Sequence, residues 1–172
     1  IMNKFLYISS LIFVILSGCS SNNNNPSKSD LAIKNFVMSH YSQDGNKTYT
    51  IRAPYSKFNR SEQIYSFNNT NIDFYDQEIV KYNLISDNAK LFNSKKILEL
   101  SGNIRIIDVI DSDTVITSNN LLWNINEKEF TLNGNVHLTN RIINLYSSKA
   151  RLDNETNIIK FYKPVKYNYQ ND

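Results

Sequence analysis

Apolar and polar residues alternate along most of this chain, and between Ser86 and Leu138 the alternation is stated twice. The first copy runs Ser86-Asp87-Asn88-Ala89-Lys90-Leu91, a tip over Phe92–Lys96, then Ile97-Leu98-Glu99-Leu100-Ser101-Gly102-Asn103-Ile104-Arg105-Ile106. The second runs Ser118-Asn119-Asn120-Leu121-Leu122-Trp123, a tip over Asn124–Lys128, then Glu129-Phe130-Thr131-Leu132-Asn133-Gly134-Asn135-Val136-His137-Leu138. An offset of 32 residues carries Ser86 onto Ser118 and Gly102 onto Gly134, so two of the four glycines share one repeat position. Within the second arms, Leu98, Leu100, Ile104 and Ile106 have one parity, as do Phe130, Leu132, Val136 and Leu138. Period two puts each set on one face of a strand, leaving the other face polar. A glycine inside such a run marks a bulge or a sharp bend, because it lacks the Cβ that restricts φ.

The same pattern extends outward. Leu31, Ile33, Phe36 and Met38 predict a strand over Leu31–Met38 with one irregularity. Ser42-Gln43-Asp44-Gly45-Asn46 predicts a hairpin turn on its Asp-Gly pair. The return strand is Thr48–Ala53, and Pro54 suits a strand end or an edge because it has no N–H to give to a ladder. Further pairs follow, Gln63–Phe67 with Asn71–Tyr75, then Ile79–Ile85 leading into the repeat. Fainter copies flank the central two: Ala150, Leu152, Ile159, Phe161, Val165 and Tyr167 downstream, with Lys163-Pro164 in place of Gly-Asn, and Ala53, Tyr55, Tyr65, Phe67, Ile72 and Phe74 upstream. No helix of ordinary length is predicted after residue 30, so the body is an all-β stack of hairpins.

Composition adds a boundary at the amino terminus. Lys4 is followed by an uncharged, mostly apolar run over Phe5–Leu16 and then Ser17-Gly18-Cys19. A bilayer-spanning helix takes about 20 apolar residues, so this shorter run reads as a signal peptide over residues 1–18. Leu16-Ser17-Gly18-Cys19 resembles the bacterial lipobox, which implies cleavage before Cys19 and acylation of its sulfur and of the new amino terminus. Ser20–Asp30 is Asn- and Ser-rich, and residues 19–30 read as the lipidated cysteine and its tether. The folded domain is 31–172. Hydrophobic residues at 41% supply a core even though mean hydropathy is −0.43. A formal charge of +3 is too small to argue for nucleic acid.

Catalytic patterns are missing. Cys19 is the single cysteine and the only histidines are His40 and His137, the latter on the polar parity of its strand. There is no phosphate-cradling glycine loop, no nucleophile elbow and no spaced metal motif. Asp108, Asp111 and Asp113 read as a solvated turn that lacks a full calcium ligand series. The expectation is a protein that is not an enzyme and carries no cofactor or metal.

The repeated Ala-x-Leu, polar tip, Leu-x-Leu-x-Gly-Asn-Ile/Val pattern, carried by Ser86–Ile106 and Thr117–Leu138, resembles the periplasmic bridge proteins of lipopolysaccharide transport. A single anchored domain of this length resembles the LptC family most, although the A component and the amino-terminal domain of the D component share the repeat. The resemblance implies a single β-jellyroll, a half-open antiparallel sandwich of OstA-like type. It implies lipopolysaccharide as the cargo, with acyl chains sheltered in an apolar trough, and an ABC transporter and periplasmic jellyrolls as partners paired edge to edge. It also implies the periplasmic face of a membrane, with the inner membrane favoured and the lipid at Cys19 as anchor. Lining candidates by parity are Ile51, Tyr55, Ile72, Phe74, Ala89, Leu91, Leu98, Leu100, Ile104, Ile106, Trp123, Phe130, Leu132, Val136, Leu138, Leu152, Ile159, Phe161 and Val165. Lys90, Lys95, Arg105, Arg151 and Lys160 are candidates for phosphates at the rim. The alternatives are a periplasmic lipoprotein that is purely a structural or assembly module with a dry core, and a carbohydrate-binding jellyroll using Trp123 or exposed tyrosines.

Overall fold

The computed structural model of the chain describes residues 30–153 and 155–169, with nothing stated for the side chains of residues 163, 164 and 169. The signal-peptide, Cys19 and tether expectations lie outside the described residues. Nine strands follow one another: β1 Leu31–Tyr41, β2 Lys47–Asn59, β3 Ile64–Asp76, β4 Ile79–Phe92, β5 Ile97–Asp108, β6 Val115–Asn124, β7 Glu129–Thr139, β8 Ile143–Asp153 and β9 Ile159–Tyr169. Each pairs antiparallel with the next, so the spatial order is the sequence order, and among the described residues β1 and β9 each have a neighbour on one side only. Short turns suffice for such a meander because antiparallel neighbours need no crossover. The Asp-Gly turn closes as its pattern predicts, Gly45 at φ +83°, donating its N–H to Ser42 O at 3.0 Å.

The strands are long because they run through a corner where the sequence suggested they stop. Gln63–Phe67 and Asn71–Tyr75 are not two paired strands: Gln63 is in the turn before β3, and Ile64–Phe67 and Asn71–Tyr75 are two halves of β3 joined across Asn69. Likewise β2 continues past Pro54 to Asn59. Proline is tolerated there because the ladder to β3 is interrupted between Arg52 and Tyr55. Every strand from β3 to β8 passes this corner. In β5 and β7 it is built from two successive left-handed residues, Gly102 (φ +77°) with Asn103 (φ +43°), and Gly134 (φ +75°) with Asn135 (φ +50°). Two residues there oppose one on the neighbouring strand, as between Ser101 and Ile104 opposite Asn120 and Ser118, which is a bulge. In β4, β6 and β8 the corner holds Ser86, Ser118 and Ser147, buried. Each bonds from its hydroxyl to the carbonyl two residues on, at 3.2, 3.2 and 2.9 Å. The repeat is thus a device for bending adjacent strands at one level, so that the sheet rolls over on itself.

Rolling brings the inner faces of β2 and β3 against those of β6 and β7. Trp123 meets Tyr49 and Phe74 edge-on, both with centroids 4.8 Å apart, and Phe74 meets Phe130 at 5.2 Å. The Tyr82 hydroxyl donates to Asn157 Oδ1 at 2.9 Å, joining β4 to the turn between β8 and β9. The core is one continuous apolar face, and all of its members lie on the inside of the roll.

Candidate functional site

The inside of the roll is the first candidate. Of the lining residues expected from parity, Ile51, Ile72, Phe74, Ala89, Leu91, Leu98, Leu100, Ile104, Ile106, Trp123, Phe130, Leu132, Val136 and Leu152 are buried in it. Leu138, Ile159 and Phe161 are half-buried and pack against it. Two expectations fail. Tyr55 is 43% exposed, because β2 takes a three-residue step at Pro54, between buried Ala53 and buried Ser56, that reverses parity. Val165, on edge strand β9 and beyond its corner, is 39% exposed. The interior also contains Phe67, Leu84, Ile116 and Leu121, which the lining set omitted. The signal for Leu84 and Ile116 was present: each lies two residues before a corner serine, and the alternation resumes three residues after it.

The middle of the interior is filled by the rings named above, whereas its end is open. A cleft of about 700 Å³ lies between the β1–β2 and β3–β4 hairpins on one side and the β6–β7 and β8–β9 tips on the other. Tyr49, Phe74, Trp123 and Ile125 form its apolar floor, and His40, Thr48, Asp76, Lys81, Lys128 and Glu155 stand around it. Lys128 is ion-paired to Glu155, and Lys81 Nζ lies 3.7 Å from Asp76 and 5.6 Å from the Tyr82 ring centroid. Trp123 Nε1 is buried and has no hydrogen-bond partner among the described residues. Burial pushes the Tyr49 hydroxyl pKa up. It does the same for Tyr82, aided by the charge of Asp108.

The basic residues expected at a rim are not at this mouth. Lys90 lies on the outer face of the sheet, beside a different groove. Arg151 Nε is 3.6 Å from Glu129, and Lys95 Nζ sits 5.7 Å from the Phe92 ring centroid. The mouth's own cations, Lys81 and Lys128, come from hairpins that only the roll brings together, which no local pattern reveals. His137 is half-buried, stacked on Tyr146 at 4.2 Å and 3.2 Å from Asn144 Oδ1. His40 stacks on Tyr49 at 4.9 Å. Asp108 uses Oδ1 to accept the backbone N–H groups of Ile110 and Asp111, and Asp113 pairs with Arg141. Among the described residues no three His, Cys, Asp or Glu side chains are grouped as a metal ion would need.

The second candidate is the pair of edges. Among the described residues β1 and β9 each pair with a strand on one side only, and the outer side of such a strand is the template for adding another.

Comparison with known proteins agrees with this architecture. No curated protein matches the sequence. Among solved structures, the chain is similar to the crystal structure of LptH, the LptA-homologous periplasmic component of the lipopolysaccharide transport device of Pseudomonas aeruginosa. The TM-score is 0.57 at 9% identity, over 72% of this chain and 95% of that one, which shows the shared jellyroll fold. The family model described as lipopolysaccharide-assembly, LptC-related, matches residues 5–170. The chain belongs to the LptC-related family of lipopolysaccharide assembly.

Proposed function

We propose that this protein is a passive conduit in lipopolysaccharide export. Acyl chains enter the apolar interior by the open mouth, and the sugars and phosphates stay in water near Lys81 and Lys128. Edges β1 and β9 pair with jellyrolls of neighbouring components, one of them on the ABC transporter, to prolong the apolar path. Acylated Cys19 holds the chain at the periplasmic face of the inner membrane, and no bond is made or broken on the folded body. The observation that carries this reading is a single uninterrupted apolar face that opens into an amphipathic cleft and lies between two edge strands, each paired on one side only among the described residues. Burial of alkyl chains there is favourable by about 0.8 kcal/mol per methylene. Unpaired edges give main-chain hydrogen bonds to an added strand.

One observation favours the alternative of an assembly module with a dry core: Tyr49, Phe74, Trp123 and Phe130 touch across the interior. Photo-crosslinking in cells separates the two. Crosslinkers at Leu100, Phe130 or Leu132, which point inward, are expected to capture lipopolysaccharide, and those at Glu99 or Thr131 to capture none. Adducts from the outward pair alone would leave the dry module as the answer.

A further inference from the structure

On the outer face of the sheet a trench of about 420 Å³ crosses the strands beside the corner. Its floor is a row of polar side chains in direct cross-strand register, Asn68, Asn88, Ser101, Asn120 and Asn133, from β3 to β7. Neighbours in such a row are spaced by the strand separation, about 4.8 Å. The register runs on to Tyr55 at one end and through Lys149 to Tyr162 at the other, both rings being exposed. Lys90 and Glu99 face each other along the flank, so the trench over β3 to β7 carries no net charge; Lys149 adds one positive charge beyond it, its Nζ 5.6 Å from the Tyr162 ring centroid.

Backbone geometry does not account for these asparagines. Asn35, Asn69, Asn103 and Asn135 have positive φ, where asparagine is favoured. Asn68, Asn88, Asn120 and Asn133 do not, and asparagine is otherwise depleted in strands. Internal hydrogen bonding accounts for two of the four at most. Asn68 Nδ2 donates to Asn88 Oδ1 at 3.2 Å, while the Asn120 and Asn133 amides have no protein partner among the described residues.

We infer that the trench binds an extended, uncharged, β-linked glycan of the N-acetylhexosamine type. Each amide both donates and accepts, which matches pairs of sugar hydroxyls. The row repeats at close to the length of one sugar in an extended chain. Acetamido groups join an amide row as Asn88 joins Asn68, and the exposed Tyr55 at the β2 end offers a flat face to a sugar ring. The trench is on the side of the sheet opposite the apolar interior and crosses β3 to β7, none of which is an edge strand. Its ligand is therefore separate from the transported lipid, and the inference does not rest on the conduit reading.

The test uses the purified mature chain, the N-acetylglucosamine hexamer, and polysaccharide freed from lipopolysaccharide as a second probe, followed by titration calorimetry. The hexamer is expected to bind. The triple variant N88A/N120A/N133A should bind it about tenfold more weakly, the loss expected of a few neutral hydrogen bonds. Its melting curve and its interior crosslinks to lipopolysaccharide should be unchanged. If the triple variant does not fold, Asn120→Ala alone should weaken binding about threefold. Absence of hexamer binding, affinity unaltered in the variants, or binding of the lipopolysaccharide-derived polysaccharide alone would each overturn the proposal.

Discussion

At Gly102 the carbon that glycine lacks would sit 2.5 Å from Asp87 Oδ2 and 3.0 Å from Asp87 Cβ, whereas at Gly134 the nearest atom would be Asn119 Nδ2 at 3.2 Å. Both positions have positive φ, which costs an L-residue about 1–2 kcal/mol. Only Gly102 adds an approach closer than 3.0 Å, to the carboxylate tip of Asp87, and that tip is held by Asn103 Nδ2 at 2.8 Å, so it does not turn aside freely. Gly134→Ala should therefore destabilise by about 1–2 kcal/mol and Gly102→Ala by about 2–4 kcal/mol. Urea midpoints read the order, and equal losses would remove the close approach as the reason for Gly102. The buried tyrosines set a limit at alkaline pH. The folded pKa values of Tyr49 and Tyr82 are raised above the ordinary phenol value. As pH climbs past about 10 the unfolded chain loses those protons and the folded chain keeps them. Stability is then fully present below that value and falls above it. Tyr49→Phe/Tyr82→Phe should flatten the decline, even though loss of the Asn157 bond lowers stability at neutral pH by about 1 kcal/mol. An unchanged slope in denaturant melts across that range would show the two hydroxyls do not govern it.

An element here is a strand bent at a fixed level, and the sequence announces the strands better than the bends. Period two places Leu98, Leu100, Ile104 and Ile106 correctly because β5 takes a four-residue step through Gly102-Asn103, which preserves parity. It misplaces Tyr55 because β2 takes a three-residue step that reverses parity. Asn69 and Pro54 look like ends, since both residue types are poor in ladders, yet the chain uses them in the middle of β3 and β2. What distinguishes a corner from an end is whether neighbouring strands bend at the same level, a property of the register and not of any one segment. The register also orders the strands by exposure to exchange. Among the described residues β1 and β9 have one neighbour each, whereas β4 to β7 have two and carry most of the buried core. Amide hydrogen exchange should accordingly be fastest in β1 and β9 and slowest in β5 and β6, because opening an edge strand breaks one ladder and opening a central one breaks two. Exchange as slow in the edges as in β5 would mean that they are already occupied by another strand, and adding a partner jellyroll should slow them selectively.

For the whole molecule the filled interior and the open mouth have to be taken together. If acyl chains travel inside, the rings of β2 and β3 must part from those of β6 and β7, and the lipid's apparent affinity is lowered by the free energy of that parting. Trp123 stands at the point of separation, buried and with its Nε1 unpartnered among the described residues. It is also the single tryptophan of the chain, so its fluorescence reports this place and no other. Without lipid its emission should be that of an apolar environment and should resist quenching by iodide. Amphiphiles with brominated acyl chains should quench it, because contact with the chain requires entry past Tyr49 and Phe74. A brominated water-soluble acid of the same concentration should not. Phe74→Ala removes the ring that closes one side of Trp123 and a buried aromatic whose loss destabilises by about 3–5 kcal/mol. The same cavity lowers the work of opening, so the variant should be quenched at lower lipid concentration while unfolding at lower urea. Opposite signs of these two effects are what a conduit requires; a dry core predicts the loss of stability and no quenching by the lipid at any concentration at which the chain stays folded.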